Sequence, residues 1–199
     1  MIQSKSDLRY YLKADAISLG LWGRNPFFTR HIIWRFQRLL RKVEYLENTG
    51  KAWSVFGVIP YLITRARISR LRYKLGYTIP PNVFGPGLSI AHKGTIVINA
   101  GTRIGANCRI NVCVNIGNKR NESQRAPRIG DNVFIGPGAM IFGDIEIADG
   151  IAIGANAVVN RSFLEPNITI AGVPARKVSN KGSRGLVIRA TEEIEKKQI

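Results

Sequence analysis

The chain has 199 residues and a formal net charge of +17, from 30 Lys and Arg against 13 Asp and Glu. This length suits one domain or a small pair with a real core, and no run of about 20 apolar residues is present, which argues against a transmembrane helix. The longest apolar stretch, Trp53–Thr64, is short and contains Gly57 and Pro60. Because the N-terminus has no apolar signal region, a cytoplasmic location is expected.

The positive charge is concentrated at the start of the chain. Residues 1–75 hold 15 Lys and Arg against 4 Asp and Glu (net +11), whereas residues 76–199 hold 15 against 9 (net +6). Such asymmetry favours an anionic partner near the N-terminal segment. No nucleic-acid-binding motif accompanies it, so nucleic acid is not expected. We predict peripheral contact between residues 1–76 and the anionic inner face of a membrane; the alternative is an ordinary solvated helical surface.

Residues 1–76 are predicted to form an α-helical N-terminal segment. Three helices are expected, each ended by a glycine: Gly20, Gly50 and Gly76. Ser6 is the expected cap of the first helix, and Asn25-Pro26 is expected to open the second.

An aliphatic residue then recurs at every sixth position from Ile98 to Ile116 and, after an interruption, from Ile129 to Val159. This period fits neither an amphipathic helix nor a lone alternating strand. The register positions are Ile98, Ile104, Ile110, Ile116, Ile129, Ile135, Ile141, Ile147, Ile153 and Val159. Two residues earlier the side chains are usually small or β-branched, as in Ile96, Thr102, Cys108, Val133, Ala139, Ile145, Ile151 and Ala157. This pattern predicts a β-helix with three flat faces, in which three hexads close one coil.

The predicted domains are residues 1–76, the repeat domain 77–178 and a C-terminal tail 179–199. The polar stretch Asn118–Pro127 interrupts the repeat and is expected to leave the prism as a loop. Cys108 and Cys113 are expected to be reduced packing residues. No metal site is evident.

His92 is the main catalytic candidate. It stands one hexad before Ile98, where the repeat calls for an aliphatic residue, and such breaks of a local rule often mark functional sites. Histidine is also well suited to removing a hydroxyl proton near neutral pH. A solvated surface histidine is the alternative. The other histidine, His31, lies on the basic helix and is expected to be structural or solvent-facing.

The stretch Gly85–Val178 resembles the hexapeptide acyltransferases, most closely the serine acetyltransferase branch. The resemblance rests on "GLSIAHKGTIVINAGTRIGANCRINVCVNIG", "PRIGDNVFIGPGAMIFGDIEIADG", "IAIGANAVVN" and the closing "AGVPARKV". The N-terminal helices resemble those of polysaccharide-cluster O-acetyltransferases. The resemblance implies a mainly β fold, a left-handed parallel β-helix of hexapeptide repeats preceded by an α-helical segment. It also implies an enzyme that moves acetyl from acetyl-CoA to a hydroxyl, without a metal, as a homotrimer with sites between subunits.

The resemblance assigns roles to individual residues. It places the family's catalytic histidine on His92. The residues expected to contact acetyl-CoA are Gly117, Gly136, Pro137, Gly154, Ala155, Arg176 and Lys177. Tyr77 and Arg125 are the expected acceptor-binding residues, with the Asn118–Pro127 loop reaching over the groove of a neighbouring subunit.

Departures from the family pattern bear on the acceptor. Serine acetyltransferases carry aspartates where this chain has Tyr77 and Ala91, and an arginine–histidine pair where it has Arg125 and Ala126. Because a zwitterionic amino acid needs charged partners for both of its groups, the expected acceptor is a saccharide hydroxyl of a capsule or exopolysaccharide precursor. The alternatives are L-serine O-acetylation, which Arg125 favours, and an inactive β-helix scaffold.

Overall fold

The computed structural model describes residues 1–21, 31–118 and 125–196. Its helices are α1 (Lys5–Ser18), α2 (Ile32–Asn48), a short 3₁₀ turn (Lys51–Trp53), α3 (Val58–Leu75) and α4 (Ala190–Lys196). Its strands are β1 (Tyr77–Thr78), β2 (Ser89–Ile90), β3 (Ile96–Ile98), β4 (Arg103–Ile104), β5 (Arg109–Ile110), β6 (Val114–Gly117), β7 (Arg128–Ile129), β8 (Phe134–Ile135), β9 (Met140–Phe142), β10 (Glu146–Ile147), β11 (Ala152–Ile153), β12 (Val158–Val159), β13 (Thr169–Ala171) and β14 (Arg176–Ser179).

The strands form three sheets that the chain visits in turn. Face A has the order β1-β3-β6-β9-β12, face B the order β4-β7-β10, and face C the order β2-β5-β8-β11-β13-β14. Every pairing between strands of successive coils is parallel; the last pair, β13 with β14, is antiparallel. This order is that of a three-sided β-helix, as the six-residue repeat predicted. Its left-handed winding stays a prediction.

The hexad register is confirmed residue by residue. All ten register positions are buried, and so are the eight smaller or β-branched residues two positions before them. Stacking aligns equivalent residues of successive coils, such as Ile98 with Ile116 and Ile116 with Ile141. The core is therefore a column of aliphatic side chains along the prism axis.

The N-terminal segment is helical, with one correction to its first cap. Ser4, not Ser6, caps α1: its Oγ accepts from the backbone N–H of Asp7, and the Asp7 carboxylate accepts from the backbone N–H of Ser4. This reciprocal arrangement needs an acidic or amide side chain three residues after the cap, and Ser6 has Arg9 there. The second helix is described from Ile32, so the predicted opening at Asn25-Pro26 lies outside the described residues.

His31 caps α2. Its Nδ1 accepts a hydrogen bond from the backbone N–H of Trp34 at 3.2 Å, and its side chain is exposed. This capping role and this exposure agree with the expectation that His31 is structural or solvent-facing.

A buried ionic network joins these helices to the first coil. Arg41, fully buried, donates to both carboxylate oxygens of Asp15 at 2.9 and 3.2 Å and to Glu44 at 3.0 Å. It also donates to the backbone carbonyls of Phe84 and Gly85 at 2.9 and 2.7 Å. The first coil and the helices therefore share one buried core.

The C-terminal residues return along the molecule to α1. Ala190 and Ile194 of α4 pack with Ala14 and Ile17. The side chain of Asn107 exchanges hydrogen bonds with Thr191, 2.7 Å to its Oγ1 and 3.1 Å from its backbone N–H.

The domain boundaries after residues 76 and 178 stay predictions. Within the described ranges, no helix is both long and apolar enough to cross a bilayer.

Candidate active site

His92 lies on the edge of the prism where face C turns into face A. Turns of successive coils stack along this edge, which we call the His92 edge: residues 91–94, 111–113, 136–138 and 154–156. Backbone hydrogen bonds link them, from Asn111 to Ile135 at 3.1 Å, from Gly138 to Val112 at 2.9 Å and from Asn156 to Pro137 at 2.8 Å. The edge is therefore a rigid row of turns.

Four of the predicted acetyl-CoA contacts share this edge with His92. Gly136 and Pro137 belong to one turn, and Gly154 and Ala155 to the next. Gly136 also has a structural reason to be glycine, because a Cβ there would lie 2.7 Å from the carbonyl oxygen of Ile153. A Cβ on Gly154 would lie 2.9 Å from the Cβ of Ala171, so both glycines permit close stacking of the turns along this edge.

The backbone around His92 is held by the end of α3, by β1 and by β5 of the next coil. The carbonyl of His92 accepts a hydrogen bond from the Tyr77 hydroxyl at 2.9 Å. On either side, the N–H of Gly94 donates to Leu75 at 3.2 Å and that of Ala91 donates to Ile110 at 3.0 Å. The His92 side chain itself is exposed. A fixed backbone with an exposed imidazole suits a group that must reach a substrate proton.

Tyr77 is buried, in contrast to what acceptor binding would need of its ring. Only 3% of Tyr77 is exposed, and its ring packs edge-on against Phe36 with centroids 5.0 Å apart. Burial raises the pKa of the Tyr77 hydroxyl well above its ordinary value, so it remains a neutral donor. In the described part of the chain this hydroxyl donates to the backbone carbonyl of His92. Acceptor binding by Tyr77 stays a prediction.

Gly117 and Arg125 lie elsewhere. Gly117 ends β6, at the edge of face A opposite the His92 edge, and exposed Arg125 precedes β7 on that same far side. At about 3.3 Å per strand residue, the width of the face separates them from His92 by roughly 10 Å or more. Within one chain, the structure does not bring either residue to His92. Lys119 and Arg120 of the predicted loop lie outside the described residues.

Arg176 and Lys177 lie on β14, at the C-terminal end of the prism. Arg176 pairs in register with Ala171, whose Cβ would be 2.9 Å from a Cβ added to Gly154. Arg176 is therefore near the last turns of the His92 edge, and it is exposed. Lys177 forms an exposed ion pair with Glu165 at 2.5 Å, an interaction that contributes little in water.

The two cysteines differ, which corrects the expectation that both are packing residues. Cys108 is fully buried, and burial raises the pKa of its thiol, as its inward position in the repeat predicted. Cys113 is exposed and lies on the His92 edge with φ of +59°. The turn at this position requires a left-handed backbone conformation. The six-residue period could have predicted that Cys113 is exposed, because Cys113 falls outside the inward-facing positions of the repeat.

No group of three or more His, Cys, Asp or Glu side chains in the described part of the chain is arranged to hold a metal ion.

Comparison with known proteins identifies relatives. Residues 126–161 match the family model described as bacterial transferase hexapeptide (six repeats). A curated serine acetyltransferase of Buchnera aphidicola subsp. Acyrthosiphon pisum is 36% identical over 143 residues, covering 70% of this chain and 48% of that protein. The chain spans about half the length of such curated relatives.

Solved structures agree with this relationship. Soybean serine acetyltransferase complexed with serine has a TM-score of 0.70 and 27% identity, covering 87% of this chain and 70% of that one. Serine acetyltransferase from Brucella abortus strain S19 in complex with coenzyme A has a TM-score of 0.68 and 26% identity, covering 89% of this chain and 68% of that one.

These relatives correct the predicted acceptor. The expectation of a saccharide hydroxyl is wrong, because the matched relatives are serine acetyltransferases; a special closeness to polysaccharide-cluster enzymes is not shown. The argument failed because it treated Tyr77 and Ala91 as the only places from which an ammonium group could be held. Residues 126–161 therefore carry the bacterial transferase hexapeptide repeat, and serine acetyltransferases are among the homologues of this chain.

Proposed function

We propose that the protein is an acetyl-CoA-dependent L-serine O-acetyltransferase with His92 as its general base. The observation that carries the proposal is the exposed imidazole on a turn fixed by hydrogen bonds, at the head of a row of glycine-containing turns. The serine acetyltransferase relatives support serine as the acceptor. An inactive scaffold gives no reason for an exposed histidine on this fixed turn.

The transfer is direct. The His92 imidazole takes the proton from the serine hydroxyl as that oxygen attacks the carbonyl carbon of the thioester. The new C–O ester bond forms, the C–S bond breaks, and the sulfur of coenzyme A leaves as a thiolate that recovers the proton from the imidazolium. An acyl-enzyme on Cys108 is disfavoured, because burial and a raised thiol pKa make it a poor nucleophile.

The ligands fit different parts of the edge. Acetyl-CoA would run along Gly136, Pro137, Gly154 and Ala155, with its phosphates toward Arg176. Lys177 would bind a phosphate only if its ion pair with Glu165 opened. This direction follows from the position of Arg176 beyond the last turns of the edge.

A homotrimer would complete the site. A neighbouring chain would supply Gly117 and Arg125, since each lies across face A from the His92 of its own chain. The backbone N–H of Gly117 would donate to the oxyanion, and Arg125 would pair with the serine carboxylate. The outward residues of face A support packing between copies, because none is charged: Thr78, Val97, Asn115, Met140 and Val158. Analytical ultracentrifugation of the active protein should give three chains per particle. The cytoplasmic location and the membrane contact of residues 1–76 stay predictions.

The test is release of the coenzyme A thiol in the presence of L-serine, with saccharides as a parallel panel. His92→Ala should lower serine-dependent turnover about 10²–10⁴-fold, as expected for loss of a general base. The matched control is His31→Asn, which changes the other exposed histidine and keeps a residue that caps helices well. Serine-dependent release that survives His92→Ala would exclude this mechanism, and no release with any acceptor would favour a scaffold.

A further inference from the structure

The beginning of α3 and the segment before it expose an unusual density of large apolar side chains. We call this the apolar surface; it comprises Trp53, Val55, Phe56, Ile59, Leu62 and Ile63, with exposed fractions of 79%, 83%, 93%, 65%, 58% and 47%. Single exposed apolar residues are ordinary on soluble proteins, whereas a run of six within eleven positions marks an interaction site.

The surface cannot turn inward, because the opposite side of α3 is already packed. Thr64, Ile68 and Leu75 are buried at 2%, 0% and 2% exposure, and Ile68 and Leu75 belong to the main core. Residues three and four apart share a helix face, so Ile59, Leu62 and Ile63 must face away from that core. The exposure follows from how α3 is anchored.

Positive charge accompanies the apolar surface. Residues 51–76 contain six Lys and Arg and no Asp or Glu. Arg67, Arg70 and Lys74, further along α3, are exposed. Arg70 and the 94%-exposed Tyr73 continue the outward face of Ile59, Leu62 and Ile63. The helix thus presents an apolar first half and a cationic second half to the same side.

We propose that this face docks on an anionic lipid surface. The charge decides the occupant: a second copy packed face to face would bring two rows of uncompensated cations together, which is unfavourable. A bilayer with anionic headgroups accepts both halves. Aromatic and aliphatic side chains enter the interfacial region, Trp53 suits the headgroup level, and each cation near the surface strengthens binding about fivefold.

The experiment measures co-sedimentation of the full chain with vesicles of phosphatidylcholine and phosphatidylserine, against vesicles of phosphatidylcholine alone. Binding should require phosphatidylserine and weaken as salt rises. Arg70→Gln with Lys74→Gln should weaken it about 25-fold, the product of two fivefold effects. Arg161→Gln with Arg184→Gln removes two exposed cations elsewhere and should leave it nearly unchanged.

The apolar half is tested separately. Phe56→Ser should lower vesicle binding several-fold, whereas Leu164→Ser, which changes a 67%-exposed side chain outside this face, should not. Circular dichroism checks that both variants fold. The proposal is overturned if the intact chain ignores anionic vesicles at low salt. It is also overturned if Phe56→Ser leaves vesicle binding intact, or if Phe56→Ser instead breaks up the oligomer, which would make the surface a contact between copies.

Discussion

Replacing Arg41 by methionine is expected to destabilise the fold by about 3–5 kcal/mol, the usual result of removing one partner of a buried ion pair. The Arg41 side chain is fully buried and makes five hydrogen bonds, two to Asp15, one to Glu44 and two to backbone carbonyls. Methionine fills a similar volume but leaves the carboxylates without their cation and the carbonyls of Phe84 and Gly85 without a donor. Orphaned carbonyls add about 1–3 kcal/mol each when they stay dry, so the lower end of the range is a conservative expectation.

The loss should depend on pH in a defined direction. Burial raises the pKa of Glu44 in the folded chain, and Arg41 opposes that rise. Without Arg41 the folded pKa rises further, so the folded state binds the proton more tightly than the unfolded state does. The stability that this tighter proton binding adds is fully present below the ordinary glutamate pKa of 4.5. It is lost as pH rises through the pKa of Glu44 in the folded chain. Arg41→Met should therefore be less destabilising at mildly acidic pH than at neutral pH.

The assay is urea unfolding followed by circular dichroism at matched protein concentration, with thermal melts as a second measure. At about 2–4 °C per kcal/mol for a chain of this size, the midpoint should fall by roughly 6–20 °C. Lys42→Met, at the exposed neighbouring position of α2, is the control and should change stability by less than about 0.5 kcal/mol. If Arg41→Met does not fold, Arg41→Lys keeps the charge, loses the planar fork and should still be destabilised. A loss below about 1 kcal/mol, the value of an exposed pair, would refute the reasoning.

Two further predictions concern the site. Tyr77→Phe keeps the packed ring and removes the hydroxyl that holds the His92 carbonyl. It should lower kcat about fivefold for a hydrogen bond of about 1 kcal/mol, with KM for acetyl-CoA unchanged. Tyr73→Phe, at a 94%-exposed position, is the control. An unchanged kcat in Tyr77→Phe would show that Tyr77 has no positioning role. Gly136→Ala should destabilise the prism by about 1–3 kcal/mol, because its Cβ would meet backbone atoms of the next coil at 2.7 Å. Gly117→Ala, whose Cβ would meet nothing closer than 3.8 Å, should melt close to the parent, and equal losses in the two variants would show that coil stacking does not demand glycine at 136.

The repeat could be predicted from the sequence because its rule is local. One aliphatic residue every six positions places side chains inward whatever lies far away in the chain, and every register residue from Ile98 to Val159 is buried. The same rule drew attention to His92, but its placement at a register position was wrong: Ile90 stands in register with Ile110, and His92 lies in the turn that follows, which is two residues longer than its equivalent in the next coil. The glycines that end α2 and α3, Gly50 and Gly76, were also predictable, since both have positive φ close after the helix.

Contacts between distant parts of the chain were decided only by the tertiary structure. Arg41 joins Asp15 across 26 residues, and the Tyr77 hydroxyl reaches the His92 carbonyl across 15, while composition says only that these residues are polar or aromatic. Coil stacking likewise exposes Cys113 beside His92 and sends Gly117 to the far edge of the face. The acceptor was predicted wrongly for the same physical reason: which charges surround a substrate depends on the groups that converge in space, and neighbouring positions in a sequence do not specify that convergence.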